Sequence, residues 1–402
     1  MQVTTIGLDL GKRVFQVHGV DAAGQVVVRR KLQRAEVAGF FAELAPCLVG
    51  IEACATAHYW SRMIASYGHE VRLMPPAYVK PYVRRGKNDA ADAEAICEAV
   101  TRPSMRFVPT KSASQQAALS QHRVRDLLVR QRTMLINALR GHLGEFGIIG
   151  PAGRHRLGDL QRALWAADDV PALARVALQA LISELHSLEQ RIEALELAIV
   201  REHKTNVVSR RLATIPGIGP ITATAITATI ADPAVFKSGR EFAAWIGLVP
   251  RQHSSGGKQK LGRISKQGDQ YLRRLLTVGA TAVMRRVSGK LDRLSVWVRE
   301  LLGRRPFRLV SLALANKLAR IAWAVMTKQE PYRTSPTASS VSESGDRRSR
   351  GVNGADGKFG SWPRIGTSRF RGRVTKPVKL IGTRSADRIR ASGRGCRAEQ
   401  IP

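Results

Sequence analysis

Four acidic residues in the first quarter of the chain carry the chemistry that the sequence offers. Asp9 stands in Thr4-Thr5-Ile6-Gly7-Leu8-Asp9-Leu10-Gly11-Lys12 and Glu52 in Leu48-Val49-Gly50-Ile51-Glu52-Ala53, while Asp89 and Asp92 fall in Lys87-Asn88-Asp89-Ala90-Ala91-Asp92-Ala93. The first two end or lie within short apolar runs that read as buried strands. The last two are three apart in a helical stretch and share one face. Carboxylates gathered at strand ends repel each other unless a cation lies between them, and hard oxygen ligands suit Mg2+. Each acid also has a plainer role: Asp9 as a hairpin-turn acid, Glu52 as an ordinary strand-end acid, Asp89 as a helix N-cap and Asp92 as a first-turn acid favoured by the helix dipole. The order of all four along one sheet favours a shared site.

These acids stand out because the chain is strongly basic. Its 402 residues carry a formal net charge of +34, with a pI near 11.3. The length suits two or three domains. The charge points to DNA or RNA as partner, with an anionic membrane surface as the weaker fit. No run of about 18 apolar residues reads as a membrane span, and no basic-then-apolar leader opens the chain, which places it in the cytoplasm. Cys47, Cys54, Cys97 and Cys396 show no CxxC spacing and read as reduced thiols. Metal-assisted phosphodiester chemistry on nucleic acid is the function class that acids and basic surface share.

The elements that must position the acids follow from periodicity. Strands are expected at 3–10, 14–20, 25–32, 47–51 and 70–74, the second and third joined by a turn at 21–24, with helices at 35–44, 57–67 and 89–100. Three strands, helix, strand, helix, strand, helix is the order of a ribonuclease H-like α/β domain over 1–110. In such a sheet the first and fourth strands are neighbours, so Asp9 and Glu52 approach one another and the Asp89 helix closes the site. Long helical periodicity over 112–148 and 171–204 predicts a coiled-coil linker or arm over 111–205, with a loop around 147–158. The same pattern also describes plain helix packing.

A mostly helical domain is expected over 206–330. Ile215-Pro216-Gly217-Ile218-Gly219-Pro220 signals a helix-hairpin-helix whose turn amides can face a phosphate. Helices are expected at 270–286, 290–302 and 307–328. Between these signals lies Gly247-Leu248-Val249-Pro250-Arg251-Gln252-His253-Ser254-Ser255-Gly256-Gly257-Lys258. Its serines fit either a hairpin turn or a nucleophile whose developing charge is met by Arg251, Lys258 and Lys266. Residues 331–402 lose apolar periodicity and read as a disordered basic tail, with 16 Lys or Arg against five Asp or Glu, so the first 330 residues still carry +23.

Together these motifs resemble the DEDD transposases of bacterial insertion sequences, family 110 and its 1111 branch, which include a pilin-gene inversion recombinase. The resemblance covers about 3–330 and rests on Gly-Leu-Asp-Leu-Gly-Lys, Ile-Glu-Ala-Cys-x-x-Ala-His-Tyr-Trp, Lys-Asn-Asp-Ala-Ala-Asp-Ala, Ile-Pro-Gly-Ile-Gly-Pro and Gly-Leu-Val-Pro-Arg-Gln-His-Ser-Ser-Gly-Gly-Lys, in the family's order. It implies site-specific recombination in which Asp9, Glu52, Asp89 and Asp92 hold Mg2+. It implies a serine that joins covalently to a DNA phosphate, Ser255 by position with Ser254 as its neighbour. It further implies an element-encoded guide RNA and a homo-oligomer. A RuvC-like endonuclease using water and a non-catalytic nucleic-acid-binding protein are the two rival readings.

Overall fold

The computed structural model describes residues 2–83, 88–150, 153 and 157–333. The expected basic tail lies outside these residues, apart from its first three. The N-terminal part is a five-stranded mixed sheet in the order β3-β2-β1-β4-β5. Its strands are β1 (Thr5–Leu10), β2 (Val14–Val20), β3 (Val26–Gln33), β4 (Leu48–Glu52) and β5 (Glu70–Met74). β1 pairs antiparallel with β2 and parallel with β4, so the expected neighbours are neighbours. The β2–β3 turn forms because Asp21 Oδ1 accepts from the Ala23 and Gln25 amides and Gly24 adopts φ +78°.

The sheet separates two helical layers. On one face α1 (Val37–Glu43) and α2 (Ala57–Ala65) bury Val37, Phe41, Trp60 and Ile64 against Ile6, Leu8, Val49 and Ile51. The short α3 (Pro76–Val79) follows β5. On the other face lies α4 (Asp89–Val100). Strand alternation therefore sends Ile6 and Leu8 one way and Gly7 and Asp9 the other.

The rest of the described chain is helical. α5 (Ala113–Gly144) begins at a capping box in which Ser112 Oγ accepts from the Gln115 amide and Gln115 Oε1 accepts from the Ser112 amide. It pairs antiparallel with α7 (Ala172–Thr205): Arg125 meets Glu196, Ile136 packs on Leu185, and Leu139 and Leu143 cluster with Leu178 and Ile182. The periodic seam of α7 is thus covered by α5 of the same chain. Between them stands a helix that the sequence reading did not anticipate, α6 (Leu157–Ala166), which buries Leu160 and Leu164 in that seam.

The C-terminal core is built from α8 (Val207–Leu212), α9 (Pro220–Thr229), α10 (Gly239–Ile246), α11 (Gln270–Met284), α12 (Arg293–Leu302) and α13 (Phe307–Lys328). α12 starts three residues later than expected because Asp292 caps it, accepting from the Ser295 amide. By length and composition α13 could cross a membrane, but its apolar side chains Val310, Leu314, Leu318 and Ala322 sit in this core. A two-stranded hairpin, β6 (Pro250–Gln252) and β7 (Leu261–Ile264), projects from it. Gly217, in the α8–α9 turn with φ +87°, abuts Gly279 of α11, where a Cβ would lie 2.0 Å from the Gly217 carbonyl oxygen. The turn's glycine is therefore needed for helix packing.

A buried polar chain ties the helices together. Thr224 Oγ1 donates to the Pro220 carbonyl at 2.8 Å, so it accepts from His122 Nε2–H at 3.1 Å, and His122 Nδ1 accepts from the Tyr271 hydroxyl at 3.1 Å. Burial, then Arg125, push the His122 pKa down to about 4. Above the unfolded value of about 6.5 both states are neutral and the network contributes fully. As pH falls from there toward 4, only the unfolded chain takes the proton, so stability falls. Urea unfolding should show wild type losing about 1 kcal/mol more between about pH 7.5 and 5.5 than His122→Gln, whose amide keeps one donor and one acceptor. Equal losses would remove His122 from the acid response.

Candidate active site

Helix α4 determines the geometry of the acids. Asn88 is its N-cap, its side chain accepting from the Ala90 amide, so Asp89 is left free of the capping role that the sequence also allowed. The helix lies very close to the sheet. A Cβ on Gly7 would sit 2.1 Å from the Ala93 carbonyl oxygen and 2.4 Å from the Cys97 amide nitrogen, and one on Gly50 would sit 2.8 Å from Val100 Cβ. Two glycines on adjacent strands, facing a helix rich in alanine, allow this approach.

The close approach brings Asp9, at the end of β1, to Asp89 and Asp92 in the first turn of α4. Ligand oxygens of the three lie within 4.8 Å of one another. Glu52, at the end of β4, borders this group without belonging to it. Its charge is felt by Asp9, and that of Asp92 is felt by Glu52. Burial, then Asp92, Asp89 and Glu52, push the Asp9 pKa up to about 6 against a small opposing effect of the Leu10 amide. Burial, then Asp92, raise that of Glu52 as well. Carboxylates this close and oxygen-only, with Asp9 and Asp92 half-buried and Asp89 exposed, form a donor set suited to a hard divalent cation.

The serines lie elsewhere, at the tip of the β6–β7 hairpin. The Ser255 carbonyl accepts from the Lys258 amide at 3.1 Å, and Gly256 and Gly257 take φ +55° and +75° between them. Two successive left-handed residues make the primed turn that a two-residue hairpin requires. Ser254 Oγ accepts from the Lys260 amide across the hairpin at 3.2 Å. Among the described residues no hydrogen bond engages the Ser255 hydroxyl, and none joins either serine to the four acids. Of the expected cationic partners, Arg251 donates to the Ser265 carbonyl at 3.1 Å and serves the hairpin base, while Lys258 and Lys266 are exposed.

The hairpin base is rigidly seated. The Ser265 and Lys266 amides donate to the Val249 and Gly247 carbonyls, and Arg273 donates to those of Ile246 and Gln267. Gly268 faces the Trp245 carbonyl oxygen, where a Cβ would lie at 1.9 Å. A left-handed glycine seated against a helix end in this way has no periodic signal in the sequence.

Comparison with known proteins places this geometry in context. Residues 209–294 match the profile described as "Transposase IS116/IS110/IS902 family", and residues 6–148 match a second profile described as "Transposase". A Pseudomonas aeruginosa protein named "Probable family 20 transposase" is 53% identical over 83% of this chain and 99% of its own length. The Yersinia enterocolitica transposase for insertion sequence element IS1328 is 43% identical over 81% of this chain and 97% of its own. The Coxiella burnetii transposase for IS1111A is 41% identical over 82% and 92%.

Without divalent metal the three close carboxylates oppose folding at neutral pH. Because the Asp9 pKa is raised, its charged form costs stability at pH 7, and that cost fades as pH falls through about 6. Asp9→Asn should therefore raise metal-free stability at pH 7 by about 1 kcal/mol after allowance for solvent screening, and should abolish any stabilisation by added Mg2+. Thermal unfolding in EDTA and in Mg2+ measures both; a destabilised Asp9→Asn in EDTA would mean that the acids do not repel.

Proposed function

The chain belongs to the IS116/IS110/IS902 family of transposases, enzymes of DNA recombination, and on that premise we propose that its carboxylate group and its serine hairpin are the two parts of the strand-exchange site. The convergence of Asp9, Asp89 and Asp92 within 4.8 Å carries the proposal. We take the 3-2-1-4-5 sheet for a RuvC-like one and Asp9, Asp89, Asp92 and Glu52 as the residues that would hold a divalent cation, Mg2+ by donor type. When bound, such an ion offsets the charge that develops on a phosphate under attack.

The protein's own part is to deliver a nucleophile and hold the backbone. Ser255 Oγ attacks phosphorus. One P–O bond forms to the serine as its O–H bond breaks, the bond to the leaving strand's oxygen breaks, the proton given up by the serine balances the one that oxygen takes to leave as a hydroxyl, and reversal on a second strand rejoins the DNA. Ser254, already accepting from the Lys260 amide, holds the hairpin in shape. Gly256 and Gly257 let a phosphate approach closely, and Lys258, Lys260 and Arg263 are exposed beside it. Because the hairpin and the acids make no contact, the reaction needs an assembly that joins them. We assign that to a homo-oligomer on DNA, with an element-encoded RNA choosing the sites, in the cytoplasm.

Two outcomes test this. Replacing any of Asp9, Glu52, Asp89 or Asp92 by Ala should reduce excision of a plasmid-borne element by at least about 100-fold with DNA binding retained. Near-normal activity in two of the four would remove the shared site.

Wild type incubated with labelled junction DNA, guide RNA and Mg2+ should give a protein–DNA adduct on a denaturing gel. Ser255→Ala should give none, while Ser254→Ala, losing one hairpin hydrogen bond worth about 1 kcal/mol, should keep it. Cleavage without adduct would instead support hydrolysis by water.

A further inference from the structure

The meeting of α5, α9, α10 and the start of α11 forms an open pocket of about 440 Å³ that the chemistry above leaves unused. We propose that this cavity receives one unpaired nucleotide of a single-stranded nucleic-acid segment, with Trp245 against its base and Lys111 and Arg123 on its phosphate.

Charge is the first argument. Both acids in the cavity wall are already engaged: Asp126 pairs with Arg130 at 3.5 Å and with Arg274, and Asp269 caps α11 by accepting from the Leu272 amide at 2.8 Å. Among the described residues no carboxylate lies within 4.0 Å of Lys111 or Arg123. Lys111 is half-buried, with its ammonium 3.3 Å from His58 Nε2. That contact does not satisfy it. His58 Nδ1 accepts from the Lys111 backbone amide at 3.2 Å, so in the neutral ring the hydrogen is on Nε2, and the ammonium faces a donor. Burial, then Lys111, Arg62 and Arg123, hold the His58 pKa down near 4, which keeps the ring neutral. A half-buried ammonium that feels Asp269 only from beyond ion-pair distance, beside an arginine with no carboxylate within 4.0 Å, forms an anion site.

Shape is the second argument. A free inorganic anion would leave the aromatic walls unused. Trp245 is 39% exposed, its ring near-parallel to Phe242 (12°) and edge-on to Phe236 at 5.5 Å. Tyr271 forms another wall and is fixed by its hydroxyl donating to His122. Fixed aromatic faces next to cations are the means by which proteins hold unpaired bases, since every base has a π-face. A base stacked within a duplex cannot enter a concave pocket, so single strands are selected. The volume lies within the range of about 300–1,000 Å³ typical of small-ligand sites.

The proposal uses only the nucleic-acid partner implied by the family. It is tested in EDTA, where failure of the cleavage reading cannot affect it. Anisotropy with labelled 12-nucleotide single-stranded DNA, single-stranded RNA and duplex DNA should show Trp245→Leu weakening at least one single strand by about tenfold, with duplex binding changed by less than about twofold. Which single strand responds identifies the source as DNA, RNA or both. The double variant Lys111→Gln/Arg123→Gln should weaken the same strand and lower its log–log salt slope by about 0.7. Because Trp245 packs on Phe236 and Phe242, Trp245→Phe is the folding control and should bind within about threefold of wild type. On the unaltered protein, a photoreactive uracil in the responsive strand should crosslink to Trp245 or Tyr271. Crosslinks confined to other residues, or equal losses on single and double strands, would overturn the proposal.

Discussion

The spacing between helix α4 and the sheet is the constraint on which the acid group depends. Gly7 and Gly50 leave no room for a methyl group, so α4 lies against backbone rather than against side chains. This depth puts the first turn of the helix level with the end of β1 and forces Asp89 and Asp92 onto Asp9. Larger residues at Gly7 would push the helix outward and separate the acids without touching one of them. The repulsion that results is maintained by the apolar layers above and below, where Ile6, Leu8 and Ile51 on one side and Ile96, Ala99 and Val100 on the other hold sheet and helix together.

The second half obeys a similar rule at the hairpin. Its tip is exposed and built for close approach, while its base is held by backbone hydrogen bonds and by glycines seated against the end of α10. Between the halves the chain is fastened at several points. Arg62 donates to the Lys111 carbonyl, Ser61 and Thr110 share a hydrogen bond, and Arg106 pairs with Glu241. Individually such contacts contribute little, but together they hold the segment that leads into the capping box of α5. The same segment places Lys111 at the mouth of the cavity.

Much of this was legible in the sequence, and the exceptions share a cause. β5, α4 and α13 have the bounds that periodicity predicted, since each is a long or clean apolar pattern between Gly, Pro or capping signals. The four acids stood out because the chain around them is basic. What periodicity misses is short or long-range. α6 is ten residues whose only apolar anchors are shared with α5 and α7. β6 and β7 are three and four residues, none of them buried and without alternation, visible only through the Gly-Gly turn. The Gly217–Gly279 contact and the aromatic cavity join segments far apart in sequence, and no local pattern encodes them. The α7 seam was legible as a seam, but not its partner, because heptad spacing does not say which helix fills it.

Electrostatics then orders the events at the protein surface. A DNA backbone is attracted by a body of net charge +23, yet the acid group repels phosphate at short range. Long-range attraction and local repulsion are compatible only if phosphate reaches the acids together with a cation. Lys258, Lys260 and Arg263 on the hairpin have no such conflict and can engage the backbone unaided. On the proposed reading, binding through the basic surfaces precedes engagement of the acids, and a divalent cation held by the carboxylates would relieve their repulsion of phosphate. In that order, contact with the backbone alone does not bring a phosphate into the acid group.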